Sequence, residues 1–181
     1  MLHVVLLSIL TAGTPTLPAA RPSNVSAAPV AIPRKGGGPV ALADSIVVEK
    51  TAHRLTLYHL GRPMRVYQVA LGADPAKDKL GAGDRRTPEG LFSIEARNPY
   101  SSYHLSLRIS YPDAAHRARA QALGVSPGGD IMIHGLPNGQ GAAGPLHRLA
   151  DWTNGCIALT DEEIEEIWNV VPIGTPVQIK P

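Results

Sequence analysis

The sequence has one cysteine, few aromatic residues and no apolar run long enough to cross a bilayer. A single cysteine excludes an internal disulfide, so its thiol is either free or paired with another molecule. Aromatic residues make up 4%, which leaves few platforms for stacking bases and implies an aliphatic core. With 44% hydrophobic and 18% charged residues, the 181-residue chain is not mostly disordered and suits one domain plus an extension.

Acidic residues are absent from the first 42 positions, which hold three of the 17 basic residues. The rest of the chain therefore carries 14 basic and 15 acidic residues and has no basic excess. Without such an excess there is no electrostatic reason to expect nucleic acid as a partner.

The N-terminal region is typical of an export signal followed by a spacer. A short apolar run at 2–10 precedes small residues and prolines, so we expect a signal peptide at 1–20 and export to the periplasm or cell envelope. The alternative is a wrongly assigned start codon in front of a linker. Residues 21–42 are rich in Pro, Gly and Ala and predict a flexible linker, which leaves 43–181 as the folded domain.

The folded domain is dominated by short segments with the two-residue alternation of β-strands. These segments are 45–50, 54–59, 64–70, 91–96, 105–110, 131–134 and 175–180. Two helices are predicted, one capped by Asp113 and stopped by Gly124, the other opened by a capping box at Thr160 and ending near Val170. The pattern predicts a mainly β, sandwich-like or barrel-like fold with about two short helices.

Cys156 is the most informative residue. It follows Gly155, which permits a tight turn and lets a substrate carbonyl approach backbone N–H groups. Local spacing supports two alternatives equally: a nucleophilic thiol, or a buried cysteine that packs beside Ile157 and Leu159.

A nucleophilic thiol needs a base, and the chain has seven histidines. His134 ends an apolar strand and precedes Gly135, a position that presents an imidazole at the edge of a sheet. His147 is closer to Cys156 in sequence but lies in the Gly-rich run 136–149. We therefore predict His134 as the base.

Four segments, in order, resemble the L,D-transpeptidase catalytic domain, also called the YkuD or ErfK/YbiS/YcfS/YnhG family. They are Thr87-Pro88-Glu89-Gly90, Ile109-Ser110-Tyr111-Pro112, the run from Ser126 to Gly135 that ends in Ile-Met-Ile-His-Gly, and Asp151-Trp152-Thr153-Asn154-Gly155-Cys156. The resemblance extends from about residue 45 to 181.

The resemblance implies a β-rich fold with an exposed catalytic cysteine. It assigns the nucleophile to Cys156, the general base to His134 and part of a backbone oxyanion site to Gly155. Three further residues, Thr153, Asn154 and Gly135, are expected to shape the site.

Two positions depart from the family pattern. Asn154 stands where many members have His, and Ala158 where many have Arg. The second change removes a clamp for a substrate carboxylate, so we expect either that Arg108 or Arg148 substitutes or that the substrate differs. Trp152 is expected to contact substrate. The interval from His134 to Cys156 is longer than usual, and its Gly-rich residues are expected to form a lid over the groove.

The family's chemistry implies peptidoglycan stem peptides as substrates, with roles in cell wall organisation and cell shape. The thiolate of Cys156 would attack a diaminopimelate–D-alanine bond, release D-alanine and leave a thioester. An amine from another stem would then give a 3→3 cross-link, an envelope protein would become anchored, or water would complete L,D-carboxypeptidation. The resemblance also implies carbapenem β-lactams as inhibitors. No cofactor and no metal are predicted.

Two alternatives remain on the sequence alone. A catalytically silent peptidoglycan-binding module would explain the changes at Asn154 and Ala158, although binding needs neither the thiol nor its base. An amidase on the same site would release a wall-anchored protein through the same acyl-enzyme.

Overall fold

A computed structural model describes residues 41–181, which form one eight-stranded sheet, two α-helices and one 3₁₀ segment. The predicted signal peptide at 1–20 lies outside the described residues, as does the predicted linker up to residue 40. The strands are β1 Ser45–Glu49, β2 Arg54–His59, β3 Arg62–Gln68, β4 Gly90–Ser101, β5 His104–Ile109, β6 Met132–His134, β7 Ile157–Ala158 and β8 Pro176–Lys180. The helices are α1 Ala114–Ala122 and α2 Asp161–Val170, and the 3₁₀ segment is Gly141–Leu149.

The strands follow the order β3-β2-β1-β8-β4-β5-β6-β7. Strand β4 is long and has two roles: its first residues pair with β8, and the remainder pairs with β5 after a register shift. Ala70, just after β3, exchanges two backbone hydrogen bonds with Ala158 of β7, at 3.0 and 2.8 Å. The two ends of the strand order are therefore joined, and the sheet folds around a single core.

The core is aliphatic because alternate residues of each strand point inward. Leu55 and Leu57 of β2 are fully buried, as the alternation predicted. Ile133 of β6 and Ile157 of β7 are buried in the same cluster. Because side chains alternate along a strand, the residues that neighbour Ile133 and Ile157 in sequence point to the opposite face of the sheet, where the site lies.

The first hairpin forms as predicted, but β3 runs from Arg62 to Gln68, two residues earlier at each end than the predicted segment 64–70. Leu60 and Gly61 both have positive φ, 51° and 72°, which is the geometry of a two-residue turn between twisted strands. Pro63 follows in β3, which stands at one end of the strand order. An edge strand tolerates proline because a missing N–H there costs no central ladder bond.

Both helices begin where the capping residues predicted. The Asp113 carboxylate accepts the His116 N–H at the start of α1, at 2.8 Å, and the chain turns away at Gly124 with φ 67°. The Thr160 hydroxyl accepts the Glu163 N–H, and the Glu163 carboxylate accepts the Thr160 N–H. This reciprocal capping box satisfies two N–H groups that the first turn of α2 leaves open.

The prediction of a mainly β fold with about two short helices is confirmed. Two elements were missed: the two-residue strand β7, and the 3₁₀ segment within the Gly-rich run that was expected to form a lid. That segment is kinked at Gly144 and contains Pro145. Among the described residues no helix combines the length and apolarity that crossing a membrane requires.

Candidate active site

Strand pairing brings Cys156 and His134 together although 22 positions separate them in sequence. Strands β6 and β7 are parallel, with Ile133 opposite Ile157 and His134 opposite Ala158. Because both isoleucines point into the core, His134 and Cys156 point to the other face of the sheet. They are diagonal neighbours there, and both line one cleft of about 350 Å³.

His134 has the protonation state that a general base needs. Its Nδ1 lies 2.7 Å from the carbonyl oxygen of Gly135, and since a carbonyl can only accept, Nδ1 carries the proton. Nε2 is therefore left with a free lone pair. The side chain is 4% exposed, and burial lowers the pKa of His134 to about 4, so the ring is neutral at pH 7.

Cys156 is held as a thiol in this structure. Its Sγ donates to the carbonyl oxygen of Asp130 at 3.6 Å, and burial raises the pKa of the Cys156 thiol. The thiol and the imidazole line the same cleft, but the hydrogen bond of the sulfur goes to the backbone. Transfer of its proton to His134 therefore requires the sulfur to turn from Asp130 toward Nε2, a tightening that catalytic pairs often undergo when substrate binds.

The turn before Cys156 is closed by Thr153. The Thr153 hydroxyl donates to the Cys156 carbonyl at 2.8 Å and accepts the Gly155 N–H at 3.1 Å. Thr153 is buried, so both hydrogen bonds are shielded from water. Its predicted role in shaping the site has this local basis.

Gly155 is required by space and by backbone conformation. Its φ is 125°, which favours glycine, and a Cβ at this position would lie 2.5 Å from the carbonyl oxygen of Arg86. The N–H groups of both Gly155 and Cys156 were expected to face an oxyanion, but the Gly155 N–H is engaged by Thr153. Within residues 41–181 the Cys156 N–H has no acceptor, so it is the amide available to a developing negative charge.

Beneath Gly155, the segment that carries Arg86 is organised by an ion pair. Asp84 binds the Lys79 ammonium at 2.7 Å and also accepts the backbone N–H groups of Leu80, Gly81 and Arg86. These bonds hold the pKa of Asp84 down, at about 2, against the opposing effect of its burial. The Met132 backbone N–H and, to a smaller extent, the positive charge of Lys79 favour the thiolate of Cys156, although burial of the thiol outweighs both and raises its pKa.

Gly135 is required by space alone. A Cβ there would lie 2.7 Å from Oδ1 of Asp161, which already accepts the Leu136 N–H at 2.8 Å. Asp161 belongs to the first turn of α2, so Gly135 lets the end of β6 approach that helix. The close approach holds the carbonyl that orients His134.

Aromatic side chains surround His134. The ring of Tyr103 lies 4.6 Å from the imidazole, and the ring of Trp152 lies 5.9 Å from it in an edge-to-face arrangement. His147 contacts this group, because the Trp152 Nε1–H points to its Nδ1 at 3.5 Å. The structure thus places His147 behind Trp152, outside the residues that line the cleft.

The cleft lining mixes polar and apolar surface and contains one charged side chain, that of Asp130. Besides the residues already described, it includes Asn98, Ser101, Ser102, Asp130, Met132 and Asn154. Asn98, Ser101 and Ser102 come from the β4–β5 hairpin. The sequence did not predict these three residues or Tyr103 as part of the site. The sequence does show a polar Ser-Ser-Tyr-His turn between two predicted strands. Only the pairing of the strands reveals that this turn lies beside the site.

Arg108 and Arg148 are not among the residues that line the cleft. Arg108 lies at its edge, where it pairs with Glu95 at 2.8 Å and approaches the Asp130 carboxylate at 3.5 Å. Arg148 binds Glu163 in the capping box of α2 and so ties the 3₁₀ segment to that helix. Each guanidinium already pairs with a carboxylate of the protein, so neither is free to bind a carboxylate of the substrate. Trp152 and Asn154 do line the cleft.

Comparison with known proteins identifies the family of this chain. The model of the L,D-transpeptidase catalytic domain (YkuD) matches residues 43–179. The chain is 27% identical over 146 residues to YqjB, a protein of Bacillus subtilis (strain 168) named as an L,D-transpeptidase. That alignment covers 80% of this chain and 75% of the relative.

Solved structures with the same fold include the helical cell shape determining protein Pgp2 from Campylobacter jejuni. It is 25% identical, with a TM-score of 0.59, and the match covers 77% of this chain and 48% of Pgp2. An L,D-transpeptidase from Mycobacterium smegmatis has 18% identity and a TM-score of 0.52 over 77% of this chain and 59% of that one. This chain therefore spans about half to three fifths of the length of these two structures. On the family match over residues 43–179, the chain belongs to the L,D-transpeptidase catalytic domain family.

Proposed function

We propose that this protein is a cysteine-dependent peptidoglycan L,D-transpeptidase that acts on tetrapeptide stems in the cell envelope. The observation that carries the proposal is the placement of the chain's sole thiol, Cys156, and a neutral His134 on one face of two adjacent strands, in one cleft. Membership of the family supplies the substrate class.

The mechanism follows from the protonation state of the two side chains. When the Cys156 sulfur turns from the Asp130 carbonyl, its proton passes to Nε2 of His134, and the Nδ1–H bond to Gly135 holds the resulting imidazolium. The thiolate attacks the carbonyl between diaminopimelate and D-alanine. The Cys156 N–H faces the developing oxyanion, D-alanine leaves with the proton from His134, and a thioester remains.

The thioester is resolved by the nucleophile that reaches it. The amine of a neighbouring stem gives a 3→3 cross-link, and an amine of an envelope protein anchors that protein. Water gives L,D-carboxypeptidation, and the hydroxyl and amide groups among the lining residues can hold such a water beside the thioester. The likeness to the cell-shape protein Pgp2 supports a role in shaping the wall under any of the three outcomes.

The decisive experiment is mass spectrometry of the purified protein incubated with tetrapeptide muropeptides. We expect a mass increase on Cys156 that corresponds to a tripeptide thioester, together with released D-alanine. Cross-linked dimers identify transfer, and tripeptides without dimers identify hydrolysis. Binding without any covalent adduct or released D-alanine would contradict the proposal and favour a silent wall-binding module.

The Cys156→Ala variant is the matched control, since it keeps the cleft and removes only the sulfur. It is expected to bind muropeptides and release no D-alanine. Export is a separate part of the proposal: N-terminal sequencing of the protein recovered from the cell envelope should find a mature chain that begins near residue 21.

A further inference from the structure

A row of polar side chains crosses the sheet beside His134. In the β4–β5 pairing Asn98 lies opposite Ser106, and in the β5–β6 pairing Ser106 lies opposite His134. Directly opposed residues in a sheet point to the same face. Ser106 therefore stands on the site face between an amide at the edge of the cleft and the imidazole of the base.

The hydroxyl of Ser106 is buried without a partner. The residue is 1% exposed, and its Oγ makes no hydrogen bond within residues 41–181. Buried hydroxyls are normally paired, and an unpaired one disfavours the folded state. Ser106 lies on the opposite face of β5 from Leu107 and Ile109, which are fully buried in the core.

The Ser106 hydroxyl lies beside the imidazole that becomes charged when Cys156 transfers its proton. In the resting state the neutral imidazole needs only the Gly135 carbonyl at Nδ1. After the S–H bond breaks and an N–H bond forms at Nε2, a positive charge lies on an imidazole that is itself only 4% exposed. We propose that Ser106 is a positioning residue, whose oxygen lone pairs face the charged imidazolium and favour transfer of the proton to His134. Ser106 itself neither gains nor loses a proton.

The experiment measures the alkylation rate of Cys156 by iodoacetamide at pH 7, because alkylation requires no peptidoglycan. Ser106→Ala is expected to slow the reaction about 3- to 10-fold, the size of one hydrogen-bond contribution. Its melting temperature should be equal to or above that of the unsubstituted protein, since an unpaired hydroxyl has been removed. Ser106→Thr, which keeps the hydroxyl, should restore the rate.

Ser110→Ala is the matched control. Ser110 follows β5 and its hydroxyl accepts the Ser93 N–H at 3.0 Å, so its removal should lower stability and leave the alkylation rate unchanged. An unchanged rate in Ser106→Ala would overturn the inference, and so would a Thr variant that is stable but as slow as Ala. If Ser106→Thr lowers the melting temperature, the alkylation rate of Ser106→Ala alone decides whether the inference holds.

The inference rests on the proposed function, because it assumes that His134 accepts the thiol proton. The two fail separately. Suppose that alkylation is slow in both Ser106→Ala and His134→Gln, but the unsubstituted protein forms no muropeptide adduct. That result would refute the proposed substrate and still support the role of Ser106. Alkylation that is insensitive to His134→Gln would refute the role of Ser106 as well.

Discussion

The sulfur of Cys156 donates its hydrogen bond to the carbonyl oxygen of Asp130, at 3.6 Å, and not to the imidazole of His134. Asp130 has a positive φ of 52° at the end of a Gly-Gly-Asp turn, and this turn presents its carbonyl to the cleft. The structure therefore holds a protonated thiol and a neutral imidazole in one cleft. Under the proposed function such a site is activated by movement of one side chain, and the following predictions test that description.

Cys156→Ala should abolish turnover while keeping the fold, because the sulfur makes only weak hydrogen bonds, to the Asp130 carbonyl and with the Met132 backbone N–H. Iodoacetamide should label the unsubstituted protein once, since the chain has one cysteine. The labelling rate should increase as the pH rises toward the elevated pKa of the thiol, which increases the thiolate fraction. Intact-mass measurement and circular dichroism test these points. Trimmed or cross-linked muropeptides from the Ala variant would exclude the thiol mechanism.

His134→Gln should reduce acylation by about a hundredfold to ten-thousandfold, the usual effect of losing a general base. His147→Gln should have a mild effect, because His147 lies behind Trp152 and outside the cleft lining. The burial of His134 lowers its pKa to about 4, so the ring stays an active base above that pH. Acylation should therefore fall only as the pH drops toward 4, and this limb should disappear in His134→Gln. A larger loss of acylation in His147→Gln than in His134→Gln would identify His147, in the 3₁₀ segment, as the base.

Carbapenems should acylate Cys156, because the family's acyl donor and these β-lactams offer similar carbonyl groups to the thiolate. The expected measurement is an increase in intact mass by one drug equivalent, absent in Cys156→Ala. The adduct should also form more slowly in His134→Gln. No adduct after long incubation would count against an open, reactive site.

Gly155→Ala should destabilise the protein by about 2 to 4 kcal/mol, since the new Cβ combines a positive φ with a contact to the Arg86 carbonyl. Gly139→Ala is the matched control: its φ is 84°, but a Cβ there meets nothing within 4 Å. Its cost should be only about 1 kcal/mol, from backbone conformation alone. Urea unfolding measures both, and equal losses would show that the contact with Arg86 is unimportant.

Asp84→Asn should lower stability at pH 7 by about 2 kcal/mol, because the folded state holds the pKa of Asp84 near 2, below its ordinary value of 3.8. A depressed carboxyl pKa stabilises the fold above pH 4, and this contribution disappears between about pH 4 and pH 2. The variant should therefore lose less stability than the unsubstituted protein over that interval. Asp74→Asn, which removes a more exposed pair with Arg86, should change stability by less than about 1 kcal/mol. Parallel acid dependence of the Asp84 variant and the unsubstituted protein would contradict this account.

The local features of this protein are determined by its sequence. Two-residue alternation identified the β2 strand to the residue, and the caps at Asp113 and Thr160 located both helices, because these signals depend on neighbours within a few positions. The lone Cys156, and His134 followed by Gly135 at the end of a strand, also stood out without a structure. The family assignment followed from motifs of the same local kind.

The relationships between distant segments were decided only by the tertiary structure. The parallel pairing of β6 with the two-residue β7 sets the sulfur and the imidazole side by side, and β7 is too short to give a periodic signal. The carboxylate partners of Arg108 and Arg148 were likewise invisible, since ion pairs form between residues far apart in the chain. The unpaired hydroxyl of Ser106 acquires meaning only from its register with His134. A linear sequence records which groups are present, whereas their distances depend on how the sheet closes.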